Sequence, residues 1–403
     1  MKQSELSQRL QTLCVRAGQG TQDGEPLVTP IVQSTTFCRD GLESQAKHCY
    51  SRESNPTVDA LELVLGELEE APQAVAYSTG LAAETGLFIA LLRAGDHVIV
   101  SRALYGGTTR LCEQVLSGLG ITASFVDTTK LADVRGALRA NTRLIFAETP
   151  SNPTLDVTDL RGLSRIANAA GAYLAVDNTF LTPILQQPLE LGADFSVYST
   201  TKFIEGHSVA LGGCVISRDE EALERLRFVR KCIGNIQTPF NAWLTLNGLK
   251  TLPLRMERQS CSAESLAQKL FEHEATERVL YPTVPGFVQA ELAQEQHLGG
   301  HGAVISFVLR GGYERARCLL REVKLCRVVE HVGAVETLLT HSASMTHGGV
   351  APAERAAVGV SEGLVRISVG LEHPDAIWAD LKQAIEKAVK SAPQEAVACA
   401  QEN

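Results

Sequence analysis

No apolar run in this sequence approaches the roughly 20 residues that a membrane-spanning helix needs, and the opening stretch MKQSELSQRLQTLCVRAG lacks the continuous apolar core of a secretory signal. A cytoplasmic protein without a membrane partner is expected. Basic blocks are missing as well: a formal charge of −9 is spread along the chain, which gives no reason to expect nucleic acid. The ten cysteines contain no C-x-x-C pair, and His207, His297, His301, His341 and His347 do not group into a metal site. Buried free thiols and loop or core histidines are the expectation. No G-x-G-x-x-G opens a helix after the first strand, so a nicotinamide-dependent dehydrogenase fails on its own motif. Internal repeats and low-complexity linkers are also absent. Small-molecule chemistry remains.

What is present is a chain of 403 residues, 44% hydrophobic, enough for a large core and more than one domain. Residues 1 to 52 lack strong periodicity and contain TPIVQSTTF, which predicts an extended arm. From Thr57 the apolar residues Val58, Leu61, Leu65 and Leu68 recur at helical spacing behind Asn55 and Pro56, both helix-start residues. Short apolar runs then alternate with helical segments: AVAY, HVIV, ITASFV, LIFAE, YLAVD, FSVYS and CVIS. This alternation predicts an α/β fold with a mostly parallel sheet covered by helices, and ligands at the carboxyl ends of its strands. Residues 240–272 read as helix interrupted by Pro253 and as the link to a smaller α/β domain. That domain holds strands at AVISFVL and LVRISVGL and a last helix with Ile377, Leu381, Ile385 and Val389 on one side. The predicted division is an arm over 1–52, a large domain over 53–255 and a small one over 256–403.

The stretch YSTTKFIEGHSVALGG sets Lys202 just past a buried strand. Desolvating an ammonium is costly and lowers its pKa, and a neutral lysine in a cleft is a nucleophile whose commonest covalent use is an imine with a carbonyl. If that carbonyl belongs to pyridoxal phosphate, three demands follow. The phosphate needs donors, and Ser78-Thr79-Gly80-Leu81 lies at a strand-to-helix junction, with the hydroxyls of Ser199 and Thr201 as further candidates. The pyridine nitrogen needs a fixed carboxylate, and Asp177 closes YLAVD one strand earlier. The flat ring wants an aromatic neighbour, and Tyr105 in LYGGT follows HVIV.

These residues are similar to a known group. The chain resembles the Cys/Met-metabolism enzymes that use pyridoxal phosphate, among them cystathionine γ-synthase, cystathionine γ-lyase, methionine γ-lyase and the O-acylhomoserine sulfhydrylases. The likeness is carried by YSRESNPT, STGLAAETGL, AGDHVIV, LYGGTTR, ETPSNPTL, AVDNTF, STTKFIEGHS and GLVRISVGLE. It implies a transferase fold of the aspartate aminotransferase type (fold type I) and a homodimer with shared sites, paired into tetramers. Lys202 would be the imine-forming lysine and proton shuttle, with Tyr105 as stacking ring. Thr79, Gly80, Leu81, Ser199 and Thr201 would surround the phosphate, and Tyr50 and Arg52 would reach the phosphate of the neighbouring subunit. Asp177 would face the pyridine nitrogen, Thr179 would lie beneath the ring, and Asn152 near the cofactor hydroxyl. Arg366 would hold the substrate α-carboxylate through its planar fork.

The resemblance leaves the reaction open between γ-replacement and γ-elimination. Gly107 stands where methionine γ-lyases typically carry cysteine. Arg110 and Glu336 match positions at which cystathionine-handling members meet distal charges, Thr337 replaces the usual serine, and EGHSVALGG, with Val209, is closer to the sulfhydrylase form. Arg110 with Glu336 points to a cystathionine γ-synthase or γ-lyase type, with O-acylhomoserine sulfhydrylase or methionine γ-lyase as the alternative.

Overall fold

The computed structural model describes residues 3–346, 348 and 352–391; His347 and Cys399 lie outside them. The chain forms two compact units. The larger comprises the residues up to Asn152, Asp156–Glu257 and Gln289–Gly302; the smaller comprises Pro153–Leu155, Arg258–Val288 and the residues from Ala303 onward.

The sheet of the larger unit consists of β1 (Val75–Tyr77), β2 (His97–Ser101), β3 (Thr122–Val126), β4 (Thr142–Glu148), β5 (Tyr173–Asp177), β6 (Phe195–Tyr198) and β7 (Gly213–Ile216). Their spatial order is β1-β7-β6-β5-β4-β2-β3. Strands β3, β2, β4, β5 and β6 are parallel, while β7 runs antiparallel to both β6 and β1. Apart from β3, an edge strand that is only half-buried, the apolar runs were legible because such strands are buried on both faces. The reversal at β7 was not, since pairing direction leaves no mark on a short apolar run.

Three helices of the larger unit are α1 (Gln3–Val15), α2 (Pro56–Leu68) and α3 (Gly80–Leu91), the last of which opens at the site. Helix α2 starts as its sequence dictates, with Asn55 accepting a hydrogen bond from the Thr57 N–H and Pro56 in the first turn. Helix α1 corrects the expectation of an arm extended throughout: Leu10 and Cys14, one turn apart, are buried, while the rest of the helix is too polar to announce itself.

The two faces of the sheet carry separate cores. On one, Phe146, Ala175, Phe195 and Val197 pack with Leu87 and Phe88 of α3 and with Leu223 and Leu226 of the helix Glu220–Ile233. On the other, Ile145, Leu174 and Val176 pack with Leu163 and Ile166 of the helix Leu160–Ala170. Because side chains alternate along a strand, the residue that follows each core position points to the opposite layer.

The smaller unit is built on a second sheet of β8 (Thr276–Leu280), β9 (Val304–Leu309), β10 (Arg327–Val328), β11 (Leu338–His341) and β12 (Leu364–Ser368), in the order β10-β11-β12-β9-β8. Its last helix, Pro374–Ser391, buries Ile377, Leu381 and Ile385, but Val389 is 38% exposed, so the apolar stripe ends one turn early. The cysteines also depart from expectation. Cys14, Cys112, Cys214 and Cys326 are buried thiols, whereas Cys38, Cys232 and Cys261 are exposed. Among the described residues no helix is long and apolar enough to cross a membrane, and no group of three or more His, Cys, Asp or Glu could hold a metal ion.

Candidate active site

The site is assembled where β4, β5 and β6 end on the face covered by α3. Glu148 and Asp177 are the last residues of neighbouring parallel strands and stand opposite each other in register. Asp177 also pairs with Val197 of β6, and Ser199 lies two residues further along the same face.

Helix α3 begins here. Thr79 is its N-cap, its hydroxyl accepting from the Ala82 N–H at 2.9 Å and its carbonyl from the Ala83 N–H. The amides of Gly80 and Leu81 are the open donors of that first turn, at the positive end of the helix dipole. Gly80 is required by space: a Cβ there would stand 2.6 Å from Cβ of Ser199. The close approach sets the open amides beside the Ser199 side chain.

Lys202 follows in a turn held from several sides. Its own N–H bonds the Ser199 carbonyl, and the Gly206 N–H bonds the Lys202 carbonyl. The buried guanidinium of Arg255 donates to the carbonyls of Phe203, Ile204 and Gly248 at 2.6, 3.1 and 2.8 Å. Gly206, at φ +77°, lies against that guanidinium, where a Cβ would come within 2.1 Å of it. The Thr201 hydroxyl is engaged in this turn, donating to the Gly212 carbonyl and accepting from its N–H.

Asp177 is buried, and burial raises its pKa; hydrogen bonds from Thr179 and the charge of Lys202 act in the opposite direction. The Thr179 N–H donates to Asp177 Oδ1 at 2.9 Å while its hydroxyl accepts from the Ser199 N–H at 2.8 Å, so Thr179 links the acid to the serine. Tyr105 lies past β2 at the head of the short helix Gly106–Arg110 and is 46% exposed as a residue. A Cβ at Gly107 would fall 2.3 Å from that ring, so the ring occupies the space that a side chain would need.

Two acids that the sequence reading left without a role join the group. Glu148 accepts the Tyr105 N–H at 2.7 Å. Glu84, on α3, accepts the Thr108 hydroxyl at 2.7 Å; burial, followed by the charge of Asp177, pushes it up to about 8. Glu148 was visible as a polar strand end, but only the β4–β5 register places it beside Asp177.

A match to the family described as "Cys/Met metabolism PLP-dependent enzyme" covers residues 11–386. The chain belongs to this family. It is 40% identical over 389 residues to an L-methionine gamma-lyase of Fusobacterium nucleatum subsp. polymorphum, covering 94% of this chain and 98% of the relative. It is also 40% identical over 376 residues to a cystathionine gamma-lyase of Bacillus subtilis, covering 93% and 98%. Among solved structures it resembles a cystathionine gamma synthase from Xanthomonas oryzae pv. oryzae in complex with aminoacrylate and cysteine, at a TM-score of 0.92 and 37% identity, covering 95% and 99%. It is therefore a pyridoxal-phosphate (PLP) enzyme of the trans-sulfuration group, acting on amino-acid substrates.

The residues in place fit PLP. The crowded start of α3 presents two open amides, Asp177 is a buried acid whose described hydrogen bonds come only from Thr179, and an exposed aromatic ring stands past the neighbouring β2. Asn152 is buried in the turn after β4. Tyr50 and Arg52 lie on the exposed arm, with the Arg52 guanidinium 5.1 Å from the Tyr50 ring centroid and donating to the Lys231 carbonyl. Three further predicted residues belong to the smaller unit. Arg366 is buried in β12 and donates to the His331 carbonyl at 2.9 Å and the Thr340 hydroxyl at 3.1 Å. Glu336 is exposed ahead of β11, and the adjacent Thr337 is buried, with its N–H and hydroxyl both donating to Glu372.

Proposed function

We propose that this enzyme performs γ-replacement or γ-elimination on homoserine- and cysteine-derived amino acids in the cytoplasm, as a cystathionine γ-synthase or γ-lyase type. The observation that supports this type is Arg110. It is exposed at the end of the short helix headed by Tyr105 and makes no ion pair among the described residues, which leaves a guanidinium available for a substrate's distal carboxylate.

Lys202 would hold the cofactor aldehyde through Nζ. Thr79, Gly80, Leu81, Ser199 and Thr201 would surround its phosphate, and Asp177 would face its ring nitrogen. When bound, PLP supplies an electron sink for negative charge developing on the substrate. Once its amine is released, Lys202 moves protons at the substrate Cα and Cβ. Tyr105 would cover the ring face and exclude water from it, Thr179 would lie beneath the ring while its N–H holds Asp177, and Asn152 would orient the cofactor hydroxyl. Arg366 binds the α-carboxylate. Glu336 and Thr337 are assigned to the substrate side with Arg110. Tyr50 and Arg52, exposed on the arm, are suited to serve the phosphate of a second copy, in a homodimer paired into tetramers; an active monomer in sedimentation would overturn that assignment.

The test is a substrate panel: O-acetyl- or O-succinylhomoserine with cysteine or with sulfide, and cystathionine, homocysteine or methionine alone. Formation or cleavage of cystathionine should dominate. A strong preference for sulfide would indicate an O-acylhomoserine sulfhydrylase instead, and methionine as the favoured sole substrate a methionine γ-lyase.

A further inference from the structure

We infer that Glu148 is a positioning residue of the PLP site: one buried carboxyl group that sets the loop of the Tyr105 ring and the turn of Asn152 against the strand ending in Asp177. Three strand ends meet at this residue. Its Oε2 accepts the Tyr105 N–H at 2.7 Å, from the segment that follows β2. Its carboxyl group also accepts the Asn152 N–H, four residues on in its own chain. Its backbone stands in register with Asp177 of β5. Tyr105 has no side-chain cap on its helix and is half-exposed; the Thr108 N–H holds its carbonyl from within the helix, and the bond from its own amide to Glu148 ties the ring's base to β4.

The groups around Glu148 decide the form in which it acts. It is only 7% exposed, and Asp177 from β5 and Glu84 from α3 both face it, with Lys202 acting on Asp177 from the turn after β6. Burial raises its pKa most, the charge of Asp177 adds to this, and Glu84 adds less. Burial and these neighbouring acids favour the uncharged form of Glu148, whose oxygen accepts amide hydrogens in either form. A glutamine has the same shape and the same acceptor oxygen.

The experiment uses the full-length chain, freed of cofactor and titrated with PLP, reading the dissociation constant and the visible circular dichroism of the bound chromophore. Glu148→Ala should weaken PLP binding about tenfold, the scale of one lost buried hydrogen bond, and change the dichroism as the stacked ring loses its seat. Glu148→Gln should restore both. In a Tyr105→Ala background, Glu148→Ala should cost much less than tenfold, because it acts through that ring. An Ala variant with native affinity and dichroism overturns the inference, and so does a Gln variant as impaired as Ala. A lowered melting temperature with both cofactor readouts unchanged would mean a purely structural residue and also overturns it. If Glu148→Ala does not fold, Glu148→Asp withdraws the same oxygens by one methylene and is judged by the same criteria. None of these readouts involves turnover, so the outcome is separate from the choice of substrate.

Discussion

Asp177 and Asn178 are neighbours in sequence whose side chains enter opposite layers of the sheet, and each leads to a buried acid with a different fate. On the far layer Asn178 donates to the Thr182 and Gln186 carbonyls and to the Tyr198 hydroxyl. Tyr198 in turn donates to Glu69, which also accepts from the Ser196 hydroxyl at 2.8 Å and the Leu189 amide at 3.3 Å. Glu69 is thus engaged on both oxygens by this chain alone. Asp177, on the near layer, takes its described hydrogen bonds only from Thr179, although it too is buried. A buried carboxyl with so few partners is expensive unless something else completes it. The contrast separates an acid fully engaged by the fold from one that the proposed function reserves for a ligand.

The most severe way to break this contrast is to remove the amine on the near layer. Lys202→Ala should lower turnover by about 10³-fold or more, since it deletes both the proposed covalent anchor and the proposed proton shuttle. The melting temperature should stay within a few degrees of wild type, because the turn is held by Arg255 and by backbone bonds independent of the lysine side chain. Steady-state kinetics, with borohydride trapping and mass measurement of the labelled peptide, check it. Retained turnover, or a label on another lysine, removes Lys202 from the centre of the mechanism.

Next in size is the comparison of the two acids themselves. Asp177→Asn should lower kcat by about 10²-fold with little change in stability, since on the proposed reading the lost carboxylate would serve the cofactor ring. Glu69→Gln should do the reverse. Its amide NH₂ meets hydroxyl and amide donors, leaving about 1–3 kcal/mol of unmade hydrogen bonding, while kcat is preserved. Burial raises Glu69 from 4.5 to about 7. The folded state therefore holds this proton more tightly than the unfolded chain does. The stabilisation is fully present below pH 4.5 and is lost as the pH climbs through about 7. Denaturant unfolding across that range should show the decline in wild type and a shallower one in Glu69→Gln. Equal slopes would mean that Glu69 does not carry the proton.

The same contrast explains what could be read from the chain. β2, β4, β5 and β6 were evident because strands buried on both faces are nearly continuous apolar runs, and Asp177 stood out as the polar residue that ends β5 and Lys202 as a lysine just past β6. Glu69 gave no such sign. It follows the last turn of α2, where an acid ordinarily faces water, and only the packing of that helix end against Ser196 and Tyr198 encloses it. Glu148 had the same strand-end signature as Asp177, yet its value lies in the register between β4 and β5 and in the return of Tyr105 toward it, neither of which is written in local pattern. Helix α1 was missed because two buried residues, Leu10 and Cys14, hold it and the rest is polar.

The smallest effect sharpens the comparison from the open side of the site, where selectivity should lie. Arg110 ends the short helix that Tyr105 caps; on the proposed reading the ring would serve every substrate and the guanidinium only those with a second carboxylate. Arg110→Ala should therefore raise KM for cystathionine about tenfold, the worth of one charge-assisted contact at a solvent-exposed position. KM for methionine, which has no distal carboxylate, should stay within about twofold, because only uniform binding of the missing group has been removed. Measuring both substrates on the same preparation cancels any loss of active protein. A parallel rise for methionine would show that Arg110 shapes the helix rather than reads the substrate, and the assignment to cystathionine chemistry would lose its principal support.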